Sequence, residues 1–244
     1  MRVLPVVLLV LLVAAGLGLQ QHLTRQIDLE GPHVLAAASD GGFYLATGTR
    51  LYRLDERERV VARYEAAQLG VGRFDSLLAG TQGRLWVYDS EARRVLVCDL
   101  PVPCTPFDAG QTAFSANAIL AERPAGQGLL LSDNRHHRLQ ALDAQGQVQS
   151  HPLQTGWRFP NQISAWQGDW LLADTDRRQL IKVVADVQGR PVRRELFLQA
   201  EGRPYRFVVR PDGIWTVEAG LSLNDGQLYR YRDGRREAMP TGAS

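Results

Sequence analysis

Phe159-Pro160-Asn161-Gln162-Ile163-Ser164-Ala165-Trp166-Gln167-Gly168-Asp169-Trp170-Leu171-Leu172-Ala173-Asp174-Thr175-Asp176-Arg177-Arg178-Gln179-Leu180-Ile181-Lys182-Val183 carries the plan of this chain. It reads as strand, tight glycine turn, strand, polar hairpin, strand. The same order recurs on both sides of it. Upstream lie apolar runs at 33–37, 43–47 and 50–55, at 76–79, 85–89 and 94–97, and at 118–121, 128–133 and 138–143. Downstream lie runs at 206–209, 214–218 and 227–232. Further strands are expected at 60–64, 148–151 and 192–198.

The spacing sets the architecture. Thr47, Asp89, Asp133, Asp174 and Glu218 follow one another at 42, 44, 41 and 44 residues. A second landmark, the residue before the first strand of each unit, is His33, Asp75, Asn117, Asn161 and Tyr205, with steps of 42, 42, 44 and 44. Short apolar strands and glycine turns at such a period predict an all-β fold, a β-propeller of four-stranded antiparallel blades. A β-sandwich would show the turns without the period, and a helical repeat would show apolar residues at i, i+3 and i+4. Five repeats are recognisable, which leaves a five-bladed ring or an incomplete six-bladed one. A strand at 24–29 or the segment 236–240 is expected to fasten the last blade.

The chain has 244 residues, 45% hydrophobic and 22% charged, enough for one sizeable domain. Its net charge of +2 gives no reason to expect nucleic acid as a partner. The segment 3–19 is uncharged and rich in Val, Leu, Ala and Gly. As a helix it would span roughly 26 Å, near the lower limit for crossing a bilayer. Residues 1–22 are therefore read as a hydrophobic helix, a signal anchor or a cleaved signal peptide, with Arg2 left in the cytoplasm. Residues 23–30 form a connector and 31–244 the propeller. The expected location is the inner membrane, single-pass, with the propeller on the periplasmic side; cleavage would release a soluble periplasmic or secreted protein. Cys98 and Cys104, the only cysteines, are expected to form a disulfide in that compartment.

The motif Phe159 to Ile163, with Trp170 to Thr175 and Leu180 to Val183, resembles an NHL repeat, and residues 129–142 and 85–97 are similar. The resemblance covers roughly residues 31 to 235. It implies that the first strand of each blade lines a central channel. His33, Asp75, Asn117, Asn161 and Tyr205 would then ring the channel mouth. Asn117, Asn161 and Asp75 also resemble part of the metal-binding set of gluconolactonase-like propellers, in which case a divalent cation would sit there; otherwise no cofactor is expected.

The hairpins between second and third strands add a basic arc on the same rim: Arg93 and Arg94, then His136, His137 and Arg138, then Arg177 and Arg178. Such an arc would attract an anionic ligand or the acidic face of another membrane or periplasmic protein. The aligned acids are expected to accept backbone hydrogen bonds in their turns. No nucleophile elbow, zinc-protease motif or phosphate loop is present, and no acidic partner for His136-His137 is evident. The expected function is a binding scaffold, with a metal-dependent lactonase or esterase as the alternative.

Overall fold

The computed structural model describes residues 34–107, 114, 118–219 and 226–239. They form five four-stranded antiparallel sheets, each built from strands consecutive in sequence, the blades of a β-propeller. Blade one comprises Val34–Ala37 (β1), Phe43–Ala46 (β2), Arg50–Leu54 (β3) and Val60–Glu65 (β4). Blade two comprises Phe74–Ala79 (β5), Leu85–Asp89 (β6), Arg94–Cys98 (β7) and Thr105–Pro106 (β8). Blade three comprises Ile119–Glu122 (β9), Leu129–Asp133 (β10), Arg138–Leu142 (β11) and Val148–Gln149 (β12). Blade four comprises Pro160–Trp166 (β13), Asp169–Asp174 (β14), Gln179–Ala185 (β15) and Pro191–Gln199 (β16). Blade five comprises Arg203–Arg210 (β17), Gly213–Ala219 (β18), Gln227–Arg232 (β19) and Arg235–Ala238 (β20). The outer place of blade five thus belongs to β20, taken from the C-terminal of the two segments expected to compete for it. The apolar stretch 3–19, the strand expected at 24–29, His33 and Asn117 lie outside the described residues. Among the described residues no helix is long and apolar enough to cross a membrane.

The apolar runs of the second strands have a simple cause. A blade between two others buries both of its faces, so its middle strands read as continuous hydrophobic runs rather than alternating ones. In β14, Trp170 and Leu172 join the core shared with blade three, whereas Leu171 and Ala173 pack toward Phe207 of blade five. In β10, Leu129 and Leu131 face blade two and Leu130 faces blade four. Blades one and two meet through Leu51, Phe74, Leu85 and Leu96. On the far face of blade five, Val208 and Val217 remain 52% and 39% exposed.

Turn chemistry repeats too. Gly128, just before β10, holds φ at +115°, and a Cβ there would stand 2.2 Å from the Leu142 carbonyl oxygen at the end of β11, so only glycine fits at this point. Cys98, ending β7, is bonded to Cys104, which closes the loop leading to β8.

His151 is a buried group with a consequence for pH. It is 8% exposed, its Nε2 donates to the Leu139 carbonyl at 3.2 Å, and its Nδ1 is buried without a partner among the described residues. Burial, with a smaller contribution from the Arg123 charge, lowers its pKa to about 4. The neutral ring is therefore favoured by folding. Its stabilisation is complete above the unfolded value of 6.5 and is lost as pH falls toward 4, by at most about 3 kcal/mol. Urea midpoints taken between pH 7.5 and 4.5 should fall less steeply for His151→Gln than for the native chain; parallel curves would clear His151 of any role.

Candidate functional site

The rim where the chain enters each inner strand also carries the hairpins joining second to third strands. The described members of the predicted ring share one backbone feature. The pairing of β5 with β6 shifts register between Phe74 and Ser76, that of β13 with β14 between Pro160 and Gln162, and that of β17 with β18 between Pro204 and Arg206. Asp75, Asn161 and Tyr205 are the residues skipped. Each occupies a β-bulge, a device that re-aims one side chain out of the ladder at the end of a strand. The second landmark of the sequence is therefore a conformational repeat as well as a spacing.

The three side chains are held differently. Asp75 accepts a short hydrogen bond from Ser90 Oγ and lies 3.3 Å from Arg73 Nε. Asn161 is 4% exposed, and its Nδ2 has no acceptor among the described residues. Tyr205 packs its ring 6.2 Å from Phe159, which in turn lies 6.4 Å from His137. The Phe159 backbone N–H donates to His137 Nδ1 at 3.0 Å, so the neutral ring of His137 carries its proton on Nε2. An aromatic row thus runs across blades three, four and five beside Asn161. Phe159 was not among the expected site residues, because its role depends on a φ of +65° that the sequence does not display.

The aligned acids act as expected and do more. Asp89 accepts from the backbone N–H groups of Gly72, Arg73, Glu91 and Ala92 at 2.8 to 3.2 Å. Asp174 accepts from the Arg158 N–H at 2.7 Å, and its burial, the largest influence, pushes its pKa up. Asp133 contradicts the expectation that His136 lacks an acidic partner: its Oδ2 lies 2.8 Å from His136 Nδ1 and 3.0 Å from Arg138 Nε. The hairpin is short enough to fold His136 back over the residue that starts it. Arg177 is likewise bound to Asp174 at 3.0 Å and to the Gly156 carbonyl at 2.7 Å.

The basic arc therefore has two classes of member. His136, Arg138 and Arg177 are engaged by buried acids. Among the described residues, the side chains of Arg94 and Arg178 make only long contacts of 3.4 Å to the carbonyls of Gly70 and Glu201. Arg93, His137 and Arg178 occupy the equivalent hairpin position in blades two, three and four, all exposed, with φ of +54°, +51° and +58°. This is the left-handed region, where glycine or asparagine would be unstrained and most other residues cost roughly 1 kcal/mol or more.

Among the described residues, no three His, Cys, Asp or Glu side chains gather where they could hold a metal ion. Asp75, Asn161 and Tyr205, the described ring members, could offer a carboxylate, an amide and a phenolic oxygen.

No protein-family model and no curated protein matches the chain. Solved structures do. A streptogramin B lyase superposes with a TM-score of 0.62 at 14% identity, over 87% of this chain and 70% of the lyase. A calcium-binding protein, regucalcin, from Agrobacterium tumefaciens gives 0.56 at 16%, over 78% and 69%. A chain of the nidogen/laminin complex gives 0.58 at 15%, over 80% and 76%. At these identities the likeness is one of fold: the chain is a five-bladed β-propeller.

Proposed function

We propose that this chain is an NHL-type propeller, exported and tethered to the inner membrane by residues 3–19, that holds an acidic face of another membrane or periplasmic protein on its basic rim. The observation that carries the reading is the placement of Arg93, His137 and Arg178. Strained backbone positions filled by exposed cationic or polar side chains in three successive blades argue for a role beyond folding. The acids on this rim add to it. Asp89, Asp133 and Asp174 are fully buried, so solvent meets the arginines in front of them.

The test separates binding from folding. Replacing Arg93 and Arg178 together with Asn, which tolerates the left-handed region, should leave the melting temperature unchanged or slightly higher. Capture of the native partner from mild-detergent membrane extracts should fall at least about tenfold. Undiminished capture by this well-folded variant would sink the proposal. Reversing Arg138 or Arg177 is a poorer test, since either change sets a carboxylate against Asp133 or Asp174.

A second reading, a metal-dependent hydrolase at the channel mouth, draws on one observation: the buried Asn161 amide, without an acceptor among the described residues, occupies the same bulge position in blade four as Asp75 does in blade two. Asp75, Asn161 and Asn117 would supply its ligands. Elemental analysis of the purified chain lacking a stoichiometric divalent metal would count decisively against it.

A further inference from the structure

Among the described residues, two hollows of more than 500 Å³ open at the end of the propeller opposite the basic rim. The first, about 560 Å³, lies between blades three and four and falls within the range of ligand cavities. Its walls are two hairpins of the same design. Asp143 Oδ1 accepts from the N–H groups of Gln145 and Gln147 at 3.0 and 2.9 Å, and Asp186 Oδ1 from those of Gln188 and Arg190 at 2.9 and 2.8 Å.

Arg123 lines the hollow and is 3% exposed. Its Nε donates to the Gly189 carbonyl at 2.8 Å, and its Nη1 to the Leu142 carbonyl at 3.0 Å and to Gln149 Oε1 at 3.4 Å. Its Nη2 donates to the Gln188 carbonyl at 3.0 Å. A guanidinium carries five N–H groups, so the second on Nη2 has no acceptor among the described residues. All four partners are neutral. The nearby carboxylates are spent elsewhere, Asp143 on its own hairpin and on Gln149, Asp186 on its hairpin and on Arg190 at 2.8 Å. A cation buried with no carboxylate in contact favours an anion that can reach it.

Beside Asp143, Ala144 and Ser150, most of the lining is of one chemical kind. Gln127, Gln145, Gln149 and Gln188 present carboxamides, each both donor and acceptor, with Arg190 at the side. Hydroxyl groups have the same dual character. The second hollow, about 540 Å³, shares Arg123 with the first and is lined by the half-buried ring of Trp166 and by two carboxylates, Glu122, which accepts from the Thr81 N–H at 2.8 Å, and Asp169, which is paired with Lys182 at 3.0 Å. Arg123 also braces blade three against blade four, but that role uses four of its N–H groups. It explains neither the fifth nor the two hollows meeting there.

We propose that this cleft binds an acidic saccharide, with a sugar carboxylate on Arg123 Nη2 and Arg190, hydroxyls on the glutamine carboxamides, and a neighbouring sugar ring against Trp166. The test is titration of the full chain in mild detergent with tri-galacturonate, and with maltotriose as the neutral control, by calorimetry and tryptophan fluorescence. Tri-galacturonate should bind at least about tenfold more tightly than maltotriose. Gln145→Glu places a like charge on the exposed hairpin and should weaken tri-galacturonate at least about tenfold with no change in melting temperature. Arg190→Gln should weaken it severalfold and reduce its salt dependence. No binding of tri-galacturonate at millimolar concentration, equal binding of maltotriose, or unchanged affinity in Gln145→Glu would each overturn the assignment. The Arg93/Arg178 variant, altered only on the opposite rim, should retain the saccharide, so this site and the basic rim can fail independently.

Discussion

Trp170→Ala should lose about 3–5 kcal/mol of stability, a large share of the roughly 5–15 kcal/mol that holds a domain folded. Trp170 is fully buried on β14, in the core that joins blades three and four, with Leu130, Leu172 and Val183 in the same cluster. Its Nε1 donates to the Glu122 carbonyl at 3.0 Å, so the indole also ties the end of β9 to the neighbouring blade. Alanine removes the ring, leaves a cavity that two rigid sheets cannot collapse around, and deprives that carbonyl of its side-chain donor. Urea unfolding followed by far-ultraviolet circular dichroism is the measurement. Val187→Ala is the control: Val187 is 95% exposed, and its loss should stay within about 0.5 kcal/mol. A Trp170→Ala penalty as small as the control's would mean that blades three and four do not share this core.

The second large effect is expected at Glu218, where a carboxylate holds the last blade together. It is 2% exposed; Oε1 accepts from Tyr231 OH at 2.6 Å and Thr216 Oγ1 at 3.0 Å, and Oε2 from Arg236 Nη2 at 2.7 Å. These contacts link β18, β19 and β20. Tyr231 also accepts from the Glu201 N–H at 3.0 Å, and burial, followed by the bond to Glu218, pushes its hydroxyl pKa well up. Glu218→Ala leaves two buried hydroxyls without their acceptor and Arg236 without its buried counter-charge, at a cost of about 3 kcal/mol or more. Arg236 keeps Glu201 at 3.1 Å and is 21% exposed in its side chain, which places the cost at the lower end of the range for a broken buried pair. Glu218→Gln keeps an acceptor for each hydroxyl and should cost roughly 1–2 kcal/mol. Hydrogen exchange in β19 and β20 should accelerate in the same order, Ala above Gln. Equal rates in the two variants would show that the bonds from Tyr231 and Thr216 play no part in securing β20, and a Glu218→Gln variant exchanging as slowly as the native chain would show that charge plays none.

Much of this fold was written in local pattern. The second and third strands of every blade were expected within about a residue or two of where they lie, because a strand covered on both faces needs an unbroken apolar run. Fourth strands were harder to read. Thr105–Pro106 is two exposed residues, and Arg235–Ala238 is polar. An outer strand meets one neighbour and solvent, so packing demands little of its side chains. The site divides the same way. The 42- to 44-residue steps located Asp75, Asn161 and Tyr205, but not the bulges that turn them out of the ladder. The basic hairpins were visible as pairs of charges, whereas the capture of His136 by Asp133 and of Arg177 by Asp174 was not.

Arg123 marks the limit most clearly. In the sequence it is one arginine in a turn; in the fold it lies under hairpins 19 to 66 residues away and answers to carbonyls from two blades. Repeat period, strand identity and the polarity of each turn follow from neighbours along the chain, since they express backbone geometry and the burial of whole faces. Which charges are matched, which amide is left without a partner, and where a hollow opens depend on distances between blades. Those distances exist only once the sheets have packed.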